Sequence, residues 1–182
     1  MPDKSPEKIG LWSKENITKL VETYRFPLLY FITSIIGNLT DAEDVVEDTF
    51  ARMLFKKPRL KNEAAVKTYL FTSAKNSAMD YLRKTRRKRK QESELSHFTE
   101  KEIGFIEEKI CQTETQRELT AALHTLSTET REILYLQYFE SLTPREIAKV
   151  TGRSIKQIYN ITARAKKILA EKLQKEDITY EN

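Results

Sequence analysis

Residues 143–169 read TPREIAKVTGRSIKQIYNITARAKKIL, and this stretch carries the clearest structural pattern of the chain. Its first four residues, 143–146, form a capping-box sequence with proline at the first helical position, which predicts that a short helix begins there. Gly152 stands where a tight turn needs an unhindered backbone. A second capping-box sequence at 154–157 predicts the start of a longer helix. A short helix, a glycine turn and a longer helix together indicate a helix-turn-helix motif.

The longer of these predicted helices has a polar outer face that suits DNA. Lysine and arginine bond guanine, asparagine and glutamine bond adenine, and a serine at a helix start can bond phosphate. Residues 143–175 hold nine basic and two acidic side chains, which favours a DNA-binding surface over a plain helical hairpin with a basic face. The predicted DNA-contacting residues are Ser154, Lys156, Gln157, Asn160, Arg164 and Lys167. The residues predicted to face inward are Ile158, Thr162, Ala165, Ile168 and Leu169.

The composition of the 182 residues favours a helical protein. Four glycines and five prolines are about 5% of the chain, against about 12% in an average protein. The single cysteine, Cys111, excludes an internal disulfide framework and a thiolate zinc cluster, which fits a reducing cytosol. No run approaches the ~20 apolar residues of a membrane span, and residues 1–4 (MPDK) show no apolar signal core. We therefore expect an all-α, soluble, cytoplasmic protein without membrane insertion.

The net charge of +5 is unevenly distributed along the chain. Residues 1–90 hold 19 basic and 11 acidic side chains, residues 91–115 hold 2 and 7, and residues 116–182 hold 11 and 9. The acidic middle stretch also lacks apolar periodicity, as linkers do. The prediction is two small helical domains, 1–90 and 116–182, joined by a flexible acidic linker at 91–115. Ahead of the motif, two more helices are marked by Leu119, Ala122, Leu123 and Leu126 and by Ile133, Leu134, Tyr138 and Phe139.

The first domain opens with a predicted amphipathic helix at 14–25. Pro27 either ends this helix or sits in the first turn of the next one. The dense apolar run 28–36 fits a buried strand by periodicity alone. Helical neighbours and a stop signal at residues 37–38 (GN) favour a buried helix instead.

The next predicted helix has an acidic outer face. It starts at the capping-box sequence 40–43 (TDAE) and buries an apolar stripe. Its outer face is either a solvated surface, whose acids suit the positive end of the helix dipole, or a docking surface for a basic partner. This acidic face consists of Asp41, Asp44, Glu47 and Asp48, and the buried stripe of Ala42, Val45, Val46, Thr49, Phe50, Met53 and Leu54.

A long basic helix is predicted at 63–88, after a basic loop at 56–61 and with Asn62 as its N-cap. It runs into residues 83–90, seven cations in eight residues, whose mutual repulsion nucleic-acid phosphates would neutralise. Aromatic rings among cations and amides suit unstacked bases, although Tyr69, Phe71 and Tyr81 fit core positions equally well. The core side is predicted to hold Val66, Leu70, Ala74, Ser77, Ala78, Tyr81 and Leu82, and the second face Lys67, Thr68, Phe71, Lys75, Asn76, Met79 and Arg83.

Three segments resemble parts of the extracytoplasmic-function sigma factors of the sigma-70 superfamily. Residues 41–50 (DAEDVVEDTF) are similar to region 2.2, residues 69–83 (YLFTSAKNSAMDYLR) to regions 2.3–2.4, and residues 146–169 to region 4. The segments keep the order and spacing of a two-domain sigma factor. Residues 157–160 (QIYN) depart from the commoner threonine-valine pattern of that family, so the promoter sequence cannot be transferred from its relatives.

The resemblance implies a bacterial initiation factor that joins core RNA polymerase to promoter DNA. It implies that the acidic face docks on the clamp helices of the β′ subunit, that the β flap is a second contact, and that the linker runs toward the RNA exit path. It also implies an anti-sigma factor as a partner. The first domain would melt and capture the −10 element, and the helix-turn-helix would read the −35 element as duplex. The residues that the resemblance assigns to the −10 element are Lys61, Lys67, Tyr69, Lys75, Asn76, Arg83, Arg86 and Arg87.

Two other function classes compete with this one. An ordinary helix-turn-helix regulator with an N-terminal ligand or dimerisation domain explains residues 116–175 but leaves the basic run and the acidic face without a role. An enzyme has little support, because His97 and His124 are isolated and no glycine-rich phosphate loop or metal-ligand spacing is present. The acidic face also lacks the tight loop and glycine of a calcium site. No catalytic residue, cofactor or metal is predicted.

Overall fold

The computed structural model describes residues 12–89 and 126–179, with side chains through residue 87 in the first range and residue 170 in the second. Within these ranges the chain forms six α-helices and no strand, which confirms the all-α prediction. The first three helices form one compact unit and the last three another. The predicted linker at 91–115 and the predicted helix marked by Leu119, Ala122 and Leu123 lie outside the described residues. The helices are α1 (Lys14–Ile36), α2 (Leu39–Lys56), α3 (Glu63–Arg89), α4 (Thr128–Tyr138), α5 (Pro144–Thr151) and α6 (Ile155–Thr179).

Helix α1 runs through Pro27 without interruption, so the prediction that proline ends or separates a helix here is wrong. A proline inside a helix costs about 3 kcal/mol relative to alanine. The next five residues, 28–32, are each at most 4% exposed, and burial of one large apolar side chain stabilises by about 1.5–3 kcal/mol. The burial of this turn therefore outweighs the proline. The helix ends at Gly37, which adopts a left-handed φ of 82°.

The N-cap of helix α2 lies two residues before the predicted one. Its N-cap is Asn38, whose side-chain oxygen accepts a hydrogen bond from the Asp41 N–H at 2.9 Å. The capping box predicted at 40–43 is therefore wrong, because asparagine is an equally strong cap and places Thr40 inside the first turn. The apolar stripe is confirmed, with Leu54 half-buried and the rest of it buried.

Helix α3 completes a three-helix core. Asn62 caps it as predicted, since its side-chain oxygen accepts from the Ala65 N–H at 2.9 Å. The sequence predicts Phe71 on the second face of this helix, with the core as an alternative. Phe71 is fully buried, which confirms the alternative. Its ring packs edge-on against Phe31 of α1, with ring centres 5.3 Å apart. The three helices contact one another pairwise around this core.

Both capping boxes of the helix-turn-helix are confirmed. At the start of α5, the Thr143 N–H donates to a Glu146 carboxylate oxygen at 2.8 Å, and the Glu146 N–H donates to the Thr143 hydroxyl at 3.4 Å. At the start of α6, the Ser154 N–H donates to Gln157 Oε1 at 2.9 Å, and the Gln157 N–H donates to the Ser154 hydroxyl at 3.3 Å. Between them, Gly152 adopts a left-handed φ of 72°.

Two of the apolar residues noted in the second unit lie outside its core. Ile168 was expected to face inward, and Tyr138 was one of the apolar residues that marked α4; both are exposed. In α4, Tyr135 takes the core position and stacks on Phe139, with ring centres 5.3 Å apart. Tyr138 instead lies at the surface, where the Lys166 ammonium approaches its ring centre to 5.9 Å. The core around which α4 and α6 pack contains Leu126, Leu134 and Ala165, with Phe139 and Leu169 against it.

Candidate protein- and nucleic-acid-binding surfaces

The acidic face of α2 lies opposite its buried stripe. Asp44, Glu47 and Asp48 are exposed, whereas Asp41 is half-buried beside the N-cap. Asp48 pairs with Arg52 at 2.6 Å, and Arg52 also donates to the Ser77 hydroxyl of α3 at 3.3 Å. Three exposed carboxylates on one side of one helix give this face the charge that a basic protein surface would complement.

Phe55 extends this side of α2 with an exposed aromatic ring that the sequence reasoning missed. It is 91% exposed. Positions 44, 48, 51 and 55 recur at the spacing of one helix face, so the ring follows Asp44 and Asp48 along the same side. The signal was available in the sequence, because the predicted apolar stripe ends at Leu54 and the helical period places the next residue outside it.

A cavity of about 280 Å³ lies where α1, the loop at 57–62 and the start of α3 meet. The Tyr24 hydroxyl donates to Glu63 Oε1 at 3.3 Å, and the Lys67 ammonium lies 5.9 Å from the centre of the Tyr24 ring. Lys61 is exposed on the loop that leads to the cavity. Two of the predicted −10 residues, Lys61 and Lys67, thus lie next to this cavity without lining it. Its lining residues are Asn16, Lys19, Leu20, Thr23, Tyr24, Leu60, Asn62, Glu63 and Val66.

Four other predicted −10 residues share one stripe of α3. Tyr69, Asn76, Arg83 and Arg87 are spaced so that 3.6 residues per turn place them within about 40° of one another. Tyr69 is half-buried and the other three are exposed. Arg83 pairs with Asp80 at 3.1 Å, an exposed pair of the kind that contributes little stability. The stripe therefore offers amide and guanidinium donors beside an aromatic ring.

The remaining −10 candidates on α3 lie away from this stripe. Lys75 and Arg86 are about 90° around the helix from it, and Lys67 is about 180° from it. Lys75 is half-buried and Arg86 is exposed. The structure thus divides the predicted −10 residues of α3 among three directions instead of one face.

All six predicted −35 residues are exposed at the start of α6 or along it. Lys156, Asn160 and Lys167 fall within about 40° of one another, on the side opposite the buried Ile158. Arg164 lies about 60° further around the helix. These side chains form a polar face on the helix that follows the turn, where a helix-turn-helix presents its DNA-reading groups.

The start of α6 contains the predicted capping box and, beside it, an exposed apolar pair to which the sequence reasoning assigned no role. Gln157 Oε1 accepts from both the N–H and the hydroxyl of Ser154, at 2.9 and 3.1 Å, so this oxygen is engaged in the helix cap. Ile155 and Tyr159 are 40% and 61% exposed. The spacing i, i+4 outside the predicted buried stripe is the sequence signal that marks this apolar pair.

Neither a metal centre nor a membrane span is found in the part of the chain that the structure describes. Among residues 12–89 and 126–179, no three His, Cys, Asp or Glu side chains are grouped to hold a metal ion. None of the helices in these ranges is both long enough and apolar enough to cross a membrane. Cys111, His97 and His124 lie outside the described residues.

Comparison with known protein families assigns both units. The family profile of Sigma-70 region 2 matches residues 20–88, which span α1–α3 almost completely. The profile of Sigma-70 region 4 matches residues 116–169, which include α4, α5 and the first four turns of α6. The two profiles occur in the order expected from the sequence resemblance.

Similar proteins cover most of the chain. RNA polymerase sigma factor SigV of Bacillus subtilis is 28% identical over 148 residues, 80% of this chain and 84% of its own. Ferric citrate uptake sigma factor FecI of Escherichia coli is 29% identical over 146 residues, again 80% and 84%.

Two solved structures share the fold. The sigma factor RpoE in complex with the anti-sigma factor NepR from Bartonella quintana has a TM-score of 0.61 at 23% identity, covering 88% of this chain and 96% of that one. CnrH in complex with the cytosolic domain of CnrY has a TM-score of 0.56 at 21% identity, covering 89% and 90%. With both sigma-70 regions in order, similarity to sigma factors over 80% of the chain and the fold of RpoE, this chain belongs to the extracytoplasmic-function family of RNA polymerase sigma factors.

Proposed function

We propose that this sigma factor binds core RNA polymerase, melts the −10 element and reads the −35 element of its promoters. Residues 1–90 serve core binding and −10 capture, residues 91–115 connect the two domains, and residues 116–182 read the −35 element. The observation that carries the proposal is the presence in one chain of a region 2 unit with an acidic helix face and a region 4 unit with an exposed polar recognition helix. An ordinary regulator needs only the second of these.

Core binding is assigned to the acidic face of α2. Asp44, Glu47 and Asp48 present exposed negative charge to a basic partner, and Asp41 adds to it at the first turn. We assign that partner as the clamp helices of the polymerase β′ subunit, with the second domain contacting the β flap. The hydrogen bond from Arg52 to Ser77 ties α2 to α3 and so supports the orientation of the face.

Capture of the unpaired −10 strand is assigned to the cavity beside α1 and to the stripe on α3. The loop with Lys61 leads to the cavity, and Lys67 lies over the ring of Tyr24, which lines it. Single strands are bound where phosphates pair with cations and bases stack on accessible rings. Tyr24 is only 4% exposed, so the ring assigned to stacking is that of the half-buried Tyr69. The stripe of Tyr69, Asn76 and the arginines that follow, with Lys75 and Arg86 beside it, would carry the strand along α3.

Reading of the −35 duplex is assigned to the first half of α6. Lys156, Asn160 and Arg164 are of the types that bond base edges in the major groove. Ser154 lies at the helix N-terminus, where phosphate is favoured. Its own N–H and hydroxyl donate to Gln157, so a phosphate there would contact the backbone N–H groups of the first turn. Lys167 would neutralise a backbone phosphate further along. Gln157 contributes its amide N–H groups, since its oxygen is held in the cap.

An anti-sigma factor and a cytoplasmic location complete the proposal. The structurally similar RpoE was solved in complex with an anti-sigma factor, which supports a partner of this class here. A sigma factor also acts where the polymerase acts, without catalysis of its own and without a cofactor.

Core dependence of DNA binding separates this proposal from an ordinary helix-turn-helix regulator. The full chain is mixed with core RNA polymerase and with pooled fragments of the source genome, and bound DNA is recovered with and without core. We expect the chain to co-migrate with core in gel filtration and to retain specific fragments only when core is present. Specific retention by the chain alone, without co-migration with core, would support the regulator instead.

A further inference from the structure

The cap at the start of α6 limits how Gln157 can read a base. The Ser154 backbone N–H can only donate, so the Gln157 group that faces it at 2.9 Å is the amide oxygen. The Ser154 hydroxyl donates to the same oxygen at 3.1 Å, which occupies both of its lone pairs. Bidentate recognition of adenine needs this oxygen to accept from the base and the amide nitrogen to donate to it. While the cap is closed, the amide N–H groups are therefore the only part of the Gln157 side chain that can bond a base.

The exposed residues next to this cap are apolar. Ile155 is the first residue of α6, and Tyr159 follows one turn later on the same side, with exposed fractions of 40% and 61%. Ile155 and Tyr159 lie within about 40° of one another around the helix. Their mean direction is about 100° from that of Lys156 and Asn160. Apolar side chains at this end of a recognition helix lie where the helix enters the major groove.

The major groove offers one apolar group on the edges of the base pairs. This group is the 5-methyl of thymine, which isoleucine and aromatic side chains can contact. In an A·T pair the adenine of the opposite strand presents N7 and the N6 amino group, which an asparagine bonds in bidentate fashion. Asn160 stands one position after Tyr159 and is exposed. The start of α6 thus combines an adenine-reading group with an apolar pair.

We propose that Ile155 and Tyr159 read thymine methyl groups in the −35 element, so that this sigma factor selects A·T pairs there through apolar contact. The inference rests on the proposed function of α6 and adds two specificity residues that the assignment by polar side chains omits. Tyr159 acts through its ring in this account, and its hydroxyl is not required.

Replacement of thymine by deoxyuridine tests the contact directly, because it removes only the methyl group and leaves every hydrogen-bonding group of the base in place. The −35 element is first selected from a randomised duplex library with core polymerase and the full chain. Thymines of the selected element are then replaced one at a time, and affinity is measured by competition. We expect about a fourfold loss for each contacted methyl. Ile155→Ala combined with Tyr159→Ala should make affinity equal for the two bases, while Tyr159→Phe should keep the difference.

The matched control is Ile168→Ala. Ile168 is an equally exposed isoleucine of the same helix, at 42%, and it lies about two and a half turns beyond Tyr159 on a different side. Its variant should discriminate thymine from deoxyuridine as the unmodified chain does. Equal affinity of the unmodified chain for the two bases would overturn the inference, as would full discrimination by the double alanine variant. A selected element without thymine would also overturn it. If no element is enriched, the −35 assignment itself fails and the inference falls with it.

Discussion

Gly152 sets the turn of the helix-turn-helix, and the cost of replacing it follows from its geometry. It adopts φ 72° and ψ 16° and donates its N–H to the Ala148 carbonyl at 2.9 Å. An added Cβ would meet nothing within 4 Å, so no packing clash contributes. The cost of Gly152→Ala is therefore that of the left-handed backbone, about 1–2 kcal/mol. Gly152→Asn should cost less, because asparagine visits this region more readily.

Hydrogen exchange of the full chain measures this cost where it arises. A loss of 1–2 kcal/mol raises the opening equilibrium about 5- to 30-fold, and we expect this change in the amides of α5 and the first turns of α6. The amides of α1–α3 serve as the internal control and should keep their protection. Unchanged exchange in the alanine variant, or a larger effect of asparagine than of alanine, would refute the backbone explanation.

Other predictions concern the proposed contacts. Replacement of the three exposed carboxylates of the acidic face by lysine should weaken core binding about 10-fold or more, because such charges act across an interface. The control variant Glu22→Lys, on α1, should bind core normally. Unchanged core affinity of the triple variant in competition assays would contradict the docking assignment. Phe71→Ala should destabilise the first unit by about 3–5 kcal/mol in urea unfolding. Tyr69→Ala, at a half-buried position, should cost less stability and should slow promoter opening. Equal losses of stability in the two variants would contradict the placement of these residues. Arg164→Ala should change the preferred −35 base at one position; a uniform loss across sequences would identify a phosphate contact.

The elements that the sequence predicted best are those whose signals are local. The capping boxes at residues 143–146 and 154–157 involve only neighbouring backbone and side-chain groups, so their spacing alone was sufficient. The exposure of Lys156 and Asn160 followed from the helical period once the start of α6 was known.

The elements that the sequence misplaced are those decided by competition between signals. Pro27 predicted a break, but burial of the following turn in the three-helix core exceeds the cost of proline. Thr40 and Asn38 are both acceptable caps, and only the observed backbone of Asn38 identifies the helix start. Phe71 was compatible with two faces because α3 carries apolar side chains over much of its circumference, and contact with Phe31 of α1 decides the matter.

The engagement of Gln157 shows a limit of reading function from residue type. Glutamine at this position suits both an adenine contact and the third residue of a capping box. The sequence contains both signals, and only the distances of 2.9 and 3.1 Å to Ser154 show that its oxygen serves the cap.

The central proposal is tested most directly by mapping the 5′ ends of transcripts. Core RNA polymerase transcribes pooled genomic fragments with and without the full chain, and the start sites are compared. The account predicts a set of start sites that appears only with the chain and shares a −35 and a −10 element at fixed spacing. That set should disappear when the exposed carboxylates of the acidic face are replaced by lysine. Identical start sites with and without the chain would contradict the proposal that it directs promoter-specific initiation.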